Sequence, residues 1–180
     1  RAYQQWTCPI MRSGNHRVWL MDRAGDTWMD VVDVLPAIEA HVASRGLLDR
    51  FGVYVADEPI PENVVSYSEL ASRVKAAAPA LRRVDALLLN GTEMPDPIEI
   101  WVPLIDFYEN NLANYQALQN EGHEVWFYIA WSPQGAYPNR MLDSMAIKSR
   151  VTHWLAGLYG ATGFLHWGFN WWDIPLTFLD

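Results

Sequence analysis

The chain has 180 residues, of which 51% are hydrophobic, 13% aromatic and 19% charged, with a formal charge of −8. This composition predicts one globular domain with a sizeable core, and the acidic balance without any Lys or Arg run argues against nucleic acid or an anionic membrane surface as a partner. No apolar run approaches the roughly 20 residues that span a bilayer, so membrane insertion is not expected. Cys8 is the only cysteine, which excludes an internal disulfide.

Residues 1–29 form the least regular part of the chain. Trp6, Trp19 and Trp28 are separated by polar segments that contain glycine, and only residues 18–21 have the pattern of a short strand. We therefore interpret 1–29 as a loop-rich N-terminal part of a single domain, 1–180, with one early strand. Residues 30–180 are predicted to be an alternating α/β region.

From residue 30 onward, helical and extended patterns follow one another. Apolar spacing predicts helices at 30–45, with a kink or late start at Pro36, and at 61–78, 107–120 and 145–159. Short apolar runs bounded by Gly or Pro predict strands at 52–56, 84–90, 100–102, 124–131 and 163–169. Such alternation predicts parallel strands joined by right-handed helical crossovers.

The predicted fold is α/β, a partial TIM-like (β/α)8 barrel. A complete barrel takes about 250 residues, so we expect only its C-terminal strands here, about five or six of eight. An open doubly wound sheet is the alternative, but the Gly-rich phosphate loop that usually accompanies it is missing from the sequence. Because a barrel without all its strands leaves apolar parallel edges unpaired, residues 1–180 alone are predicted to be poorly soluble.

Polar and aromatic side chains stand at or just beyond the C-terminal ends of the predicted strands, where barrel sites are assembled. Asp57 and Glu58 follow the first of these strands, directly before Pro59. The later strand ends contribute Asn90, Trp101, Tyr128, Trp131, Trp167 and Asn170. Together these residues predict a cup of carboxylates, amides and indoles that suits a neutral polyhydroxylated ligand, namely a glycan.

Asp57 and Glu58 are predicted to be the catalytic pair of a glycoside hydrolase. Neighbours in a regular strand point to opposite faces, so both reach the site only if the backbone leaves strand geometry before Pro59. Such a pair has a role when the substrate carries its own nucleophile, because one acid protonates the leaving oxygen while the other orients an attacking acetamido group. In the structural alternative, either carboxylate caps the following helix or pairs with an arginine.

Other chemistry is weakly supported. The five histidines lack metal-ligand spacing and no G-x-S-x-G motif occurs, so neither a metal nor a cofactor is expected. Glu93, Asp96 and Glu99 lie in one loop and are interpreted as a solvated acidic rim, with a weak cation site as the alternative. A second enzyme hypothesis keeps a glycosidase but uses Glu93 or Asp96 as a remote second carboxylate on another sugar. A non-catalytic carbohydrate-binding barrel is the third hypothesis.

Several motifs occur together in this chain in the order found in one known family. They are Asp57-Glu58-Pro59, Asp85-Ala86-Leu87, Trp101-Val102-Pro103, residues 126–131, residues 138–140, Arg150 and residues 159–170. Through them, residues 50–172 resemble the C-terminal half of the catalytic domain of glycoside hydrolase family 123 and the related domain of unknown function 4091.

The resemblance implies a retaining, exo-acting β-N-acetylgalactosaminidase that cleaves terminal β-linked 2-acetamido sugars by substrate assistance. It implies that Glu58 is the general acid/base and that Asp57 orients the acetamido group. The implied sugar contacts are Tyr128, Trp131, Asn139, Trp167 and Asn170. The early barrel strands and the N-terminal β-sandwich usual in the family have no counterpart in this sequence.

Overall fold

The computed structural model describes residues 17–22, 25–94 and 98–166. Its N-terminal part is an antiparallel hairpin of β1 (Arg17–Asp22) and β2 (Gly25–Asp30), in which Asp22 is opposite Gly25. Only one strand is predicted here from the sequence, so β2 is a correction. Gly25 and Asp26 are typical turn residues. Because they stand at the start of β2, the sequence pattern predicts a loop there.

After the hairpin, helices and strands alternate as predicted. Helix α1 (Val31–Ser44) continues through Pro36, and a single 3-10 turn (Leu48–Arg50) precedes β3 (Gly52–Tyr54). The remaining elements are α2 (Val64–Ala77), β4 (Arg82–Leu87), β5 (Ile100–Pro103), α3 (Ile105–Asn110), α4 (Leu112–Asn120), β6 (Glu124–Tyr128), α5 (Ile147–Tyr159) and β7 (Gly163–Leu165).

Strands β3 to β7 form one five-stranded parallel sheet in the order β3-β4-β5-β6-β7. Each strand lies beside the next one in the chain, which is the connectivity of a (β/α) barrel, whereas the strand order of a doubly wound sheet reverses at a switch point. The sheet curls into a half-barrel with helices packed on it. The predicted α/β partial barrel is therefore confirmed, with five parallel strands.

Two apolar layers cover opposite faces of this sheet. The outer layer lies against the helices and includes Leu70 of α2 together with the strand residues Leu87, Trp101, Val125 and Phe127. The inner layer faces the barrel interior and consists of Val84, Ala86, Ile100, Val102, Leu104 and Tyr128. Strand residues alternate between the two layers because successive side chains point to opposite faces.

The single helix predicted over residues 107–120 is interrupted. Asn111 separates α3 from α4 with φ −126° and ψ 34°, and its Nδ2 donates to the carbonyl oxygen of Phe107 at 3.0 Å. Asn side chains compete with helical hydrogen bonds in this way. The apolar spacing continues across the break, so periodicity alone predicts one helix.

Candidate active site

The chain leaves the sheet after Tyr54, two residues earlier than predicted. The N–H of Ala56 donates to Oδ2 of Asp85 at 2.6 Å instead of joining a strand ladder. Two residues later, Glu58 has a φ of 44°, the one positive φ of a non-glycine residue in the described part of the chain. This left-handed conformation costs on the order of 1 kcal/mol. It breaks the strand alternation that would send Asp57 and Glu58 to opposite faces.

Each carboxylate of the pair accepts a hydrogen bond from a different tyrosine. Tyr54 Oη donates to Asp57 Oδ1 at 2.8 Å, and Tyr128 Oη donates to Glu58 Oε1 at 2.6 Å. Tyr128 belongs to the inner layer, and Tyr54 is opposite Val84 of the same layer. Both carboxylates are thereby held on the barrel-interior side, at the C-terminal ends of β3 and β6.

The electrostatics of this cluster keep the two tyrosines protonated. Burial raises the pKa of Tyr128 well above its usual range, and the hydrogen bond to Glu58 and its charge raise it further. Burial also raises the pKa of Tyr54, followed by the negative charges of Asp85 and Asp57. The Tyr54 and Tyr128 hydroxyls therefore stay protonated and donate their hydrogen bonds across the pH range in which proteins work.

The structural alternative for the pair does not match these contacts. Asn63 is the N-cap residue of α2, and its Oδ1 accepts the N–H of Ile60 at 2.9 Å. The partners seen for Asp57 and Glu58 are tyrosine hydroxyls, neither a helix N-terminus nor an arginine. Asp57 is exposed and Glu58 half-buried, so a ligand in the barrel interior can reach both.

A cavity of about 430 Å³ opens in the loop that follows β6. Trp131 lines it and is 77% exposed. The other lining residues include Gln134, Tyr137, Met141, Asp143, Met145 and Lys148. An open indole is a rigid amphipathic surface, and this one stands three residues beyond Tyr128. We refer to this feature as the Trp131 cavity.

Asn139 also lines the Trp131 cavity, but its amide group is used within the loop. Its Nδ2 donates to the carbonyl oxygens of Ala130 and Pro133 at 3.1 and 2.7 Å. Its Oδ1 accepts the N–H of Arg140 at 2.6 Å. The side chain, 5% exposed, thus braces the loop that carries Trp131.

The other predicted contacts are used within the scaffold or lie outside the described residues. Asn90 Oδ1 accepts the N–H of Thr92 at 2.9 Å in the turn after β4. Trp101 is 1% exposed in the outer layer, on the opposite face of the sheet from the pair. Trp167 and Asn170 lie outside the described residues.

The acidic loop before β5 is tied to the scaffold. Glu93 Oε2 accepts the N–H of Asn90 at 2.8 Å, and Asp96 lies outside the described residues. Glu99 forms ion pairs with Arg83 and Lys75 at 3.0 and 2.9 Å. In residues 17–22, 25–94 and 98–166, no group of three or more His, Cys, Asp or Glu could hold a metal ion, and no helix is long and apolar enough to cross a bilayer.

Three residues that surround the pair were not predicted as site residues, namely Tyr54, Tyr67 and Asp85, although Asp85 belongs to one of the family motifs. Tyr67 Oη donates to Asp85 Oδ2 at 3.1 Å, and Asp85 is 0% exposed. A carboxylate inside the apolar run 84–89 is a signal that could have identified Asp85, since buried acids are rare unless they are partnered. Tyr54 gives no such signal because tyrosine is common in strands.

Comparisons with known proteins place the chain in a family. The model of the glycoside hydrolase 123 catalytic domain matches residues 5–176, so the chain belongs to this family and the predicted resemblance is confirmed. A family 123 glycoside hydrolase from Clostridium perfringens, whose structural analysis concerns glycolipid glycan hydrolysis, has a similar fold, with a TM-score of 0.57 and 14% sequence identity. The similarity covers 86% of this chain and 29% of that one. No curated protein matches the chain.

Proposed function

We propose that the chain carries the catalytic centre of a retaining glycoside hydrolase that cleaves terminal β-linked 2-acetamido sugars, with N-acetylgalactosaminides as the expected substrates. The observation that carries this proposal is the pair of tyrosine hydrogen bonds that hold Asp57 and Glu58 on the same side of the sheet. Membership in family 123 supports hydrolysis of a glycosidic bond. The glycolipid glycan hydrolysis described for the Clostridium perfringens enzyme supports a glycan as substrate.

The adjacency of the two carboxylates favours substrate assistance over the ordinary retaining mechanism. In that mechanism two carboxyl groups stand about 5–5.5 Å apart on opposite faces of the sugar, one as acid and the other as nucleophile. Asp57 and Glu58 belong to one turn after β3 and approach a substrate from one strand end. A nucleophile carried by the substrate removes the need for a carboxylate on the opposite face.

Glu58 is assigned as the general acid/base. Its Oε1 accepts the Tyr128 hydroxyl, and its Oε2 is assigned to proton transfer. In the first step Glu58 gives its proton to the glycosidic oxygen as the bond from that oxygen to the anomeric carbon breaks. In the second step it takes a proton from the water that attacks the same carbon.

Asp57 is assigned to the acetamido group of the substrate. Tyr54 fixes its Oδ1, and its Oδ2 is assigned to accept the acetamide N–H, which turns the acetamide oxygen toward the anomeric carbon. That oxygen forms the new bond to carbon as the leaving group departs, giving a cyclic oxazolinium whose positive charge the carboxylate stabilises. Water then opens the ring, and the two displacements together retain the anomeric configuration.

Tyr128 and Trp131 are assigned as sugar contacts. Tyr128 lies in the inner layer against Glu58, and Trp131 presents its ring at the mouth of the next loop. Trp131 is assigned to stack on an apolar sugar face, and the Trp131 cavity is proposed as part of the glycan-binding surface.

The proposal is tested by comparing hydrolysis of an aryl β-N-acetylgalactosaminide with that of an aryl β-galactoside. The wild-type protein is expected to cleave only the acetamido sugar, and Glu58→Gln and Asp57→Asn are each expected to lower kcat at least about 100-fold. Glu62→Gln, which changes an exposed carboxylate four residues beyond Glu58, is the matched control and should keep full activity.

The other outcomes support the other hypotheses. Cleavage of both sugars, or activity that survives Asp57→Asn, would assign the nucleophile to a remote carboxylate. Binding of the sugars without any hydrolysis would favour the non-catalytic carbohydrate-binding barrel.

A further inference from the structure

Asp85 lies beside the backbone that leads into the carboxylate pair. It stands in β4 between Val84 and Ala86, which both belong to the inner layer. Strand alternation therefore directs the Asp85 side chain toward the outer side, where Tyr67 of α2 donates to it. At 0% exposure it cannot touch a ligand in the barrel interior.

From this position Asp85 binds the backbone that leads into the pair. Its Oδ2 accepts the N–H of Ala56 at 2.6 Å and the hydroxyl of Tyr67 at 3.1 Å. Ala56 is the residue before Asp57, and β3 has ended at Tyr54. The carboxyl group thus replaces the strand partner that the chain loses, at the point where the pair turns inward.

A second contact links the same region to the strand that carries Asp85. The N–H of Ala86 donates to Tyr54 Oη at 3.3 Å, and that hydroxyl donates to Asp57. One β4 dipeptide, Asp85-Ala86, therefore fixes Asp57 from two directions: through the preceding backbone and through the tyrosine on its side chain.

We propose that Asp85 is a positioning residue of the active site, which holds the segment after β3 so that Asp57 and Glu58 keep their orientation toward the substrate. The proposal rests on the proposed function, because it assigns Asp85 an effect on the chemical step. It predicts that the loss of Asp85 lowers turnover while it leaves substrate affinity nearly unchanged.

Burying the Asp85 carboxyl group costs folding free energy that an apolar core residue would not cost. Burial, and to a lesser extent the charge of Asp57, raises the pKa of Asp85 well above its usual range, against the Ala56 N–H and the Tyr67 and Tyr54 hydroxyls that lower it. Its Oδ1 is buried, and no group among the described residues gives it a hydrogen bond of regular geometry. An apolar residue would avoid both the desolvation and the poorly hydrogen-bonded oxygen. A buried carboxyl group in an otherwise apolar core is expected where a functional site requires it.

The test compares Asp85→Ala, Asp85→Asn and a core control, Val74→Ala, with steady-state kinetics on the aryl acetamido sugar. Val74 is a 2% exposed residue of α2, two turns beyond Tyr67. Asp85→Ala is expected to lower kcat by about 100-fold with KM within about threefold, since small displacements of a catalytic group have effects of this size. Asp85→Asn keeps an oxygen acceptor for the Ala56 N–H and is expected to recover most of the activity.

Hydrogen–deuterium exchange of the peptide covering residues 52–60 gives a second readout that does not need activity. Asp85→Ala is expected to add early exchange of about one amide there, because the Ala56 N–H loses its acceptor. Val74→Ala should not add it. If Asp85→Ala fails to fold, Tyr67→Phe removes one of the donors to Asp85 and should raise exchange in the same peptide and lower kcat several-fold.

The proposal is overturned if Asp85→Ala keeps kcat within about threefold of wild type, or if Val74→Ala loses as much. If the wild-type protein hydrolyses neither sugar, the proposed function has failed, and exchange alone decides the positioning claim. Equal exchange of residues 52–60 in Asp85→Ala and Val74→Ala would then overturn it.

Discussion

Tyr128 joins the end of β6 to the proposed acid/base across the barrel interior. It is 2% exposed, and its hydroxyl donates to Glu58 at 2.6 Å. A donor at this place orients the Glu58 carboxyl group and limits its rotation. If Glu58 acts as proposed, the hydroxyl of Tyr128 should matter more for turnover than its ring does.

We therefore expect Tyr128→Phe to lower kcat about 10-fold, because the ring still fills the inner layer while Glu58 loses its fixed donor. The control is Tyr115→Phe, which removes a buried hydroxyl that donates to the carbonyl oxygen of Leu89 in the outer layer. Both changes should cost roughly 1 kcal/mol of unfolding free energy. Equal kcat values for the two variants would contradict a role of Tyr128 in orienting Glu58.

From the sequence, Asp57 and Glu58 are predicted as the catalytic pair, but the hydrogen bonds that Tyr54 and Tyr128 donate to them are not. Two adjacent acids before Pro59 at a strand end form a pattern that is local in the sequence. The contact between Tyr128 and Glu58 joins residues 70 positions apart, and it depends on how far the sheet curls. No spacing in the sequence encodes that distance.

At the scale of elements, Glu99 connects α2, β4 and the loop before β5. Its carboxylate accepts the backbone N–H and the guanidinium of Arg83, which is 3% exposed, and pairs with Lys75. Burial alone would raise its pKa, but these hydrogen bonds outweigh burial and lower the pKa of Glu99 from 4.5 to about 2. The three elements are therefore held by an ionised Glu99.

A folded-state pKa below the unfolded one means that this stabilisation is complete above about pH 4.5 and is lost as the pH falls toward 2. We expect the wild-type protein to lose on the order of 2 kcal/mol of unfolding free energy from Glu99 over this interval. Glu99→Gln should be less stable at neutral pH and flatter below pH 4.5. Urea unfolding at pH 5, 4, 3 and 2 measures both curves, and parallel curves would contradict the assignment.

Two glycines of the last βα unit make opposite predictions. A Cβ on Gly163 would stand 2.4 Å from the Trp126 ring, whereas a Cβ on Gly157 in α5 would meet nothing within 4 Å. Gly163→Ala is therefore expected to displace Trp126 and weaken the β6–β7 pair by about 2 kcal/mol or more. Gly157→Ala should be neutral or stabilise the helix by up to about 1 kcal/mol. Equal melting temperatures for the two variants would show that β7 does not pack on Trp126.

The order of these elements follows from hydrophobic periodicity, but several of their ends do not. Strand β3 is shorter than its apolar run because the Ala56 N–H donates to Asp85 instead of to a neighbouring strand. Helices α3 and α4 are separate because the Asn111 side chain bonds to Phe107. One side-chain hydrogen bond determines the end of β3, and another determines the break between α3 and α4. Hydrophobic periodicity cannot predict the effect of a single polar contact.

For the whole molecule, the relevant feature is a parallel sheet whose end strands in the described part are β3 and β7. Large apolar side chains of α5 are also exposed, with Trp154 at 64% and Leu158 at 73%. Unpaired parallel edges and exposed apolar groups favour association. We expect the 180-residue chain produced alone to self-associate. Light scattering after size exclusion tests this, and a monodisperse monomer with one cooperative melting transition would contradict it.

The measurement that tests substrate assistance most directly uses aryl 2-acetamido sugars whose acetyl group carries none, one, two or three fluorine atoms. Fluorine withdraws electrons from the acetamide oxygen, so a rate that depends on attack by that oxygen must fall with each substitution. If Asp57 and Glu58 work as proposed, kcat/KM decreases steeply along the series and the trifluoroacetyl substrate is almost inert. A rate that is independent of fluorination would assign the nucleophile to the protein and contradict the proposed mechanism.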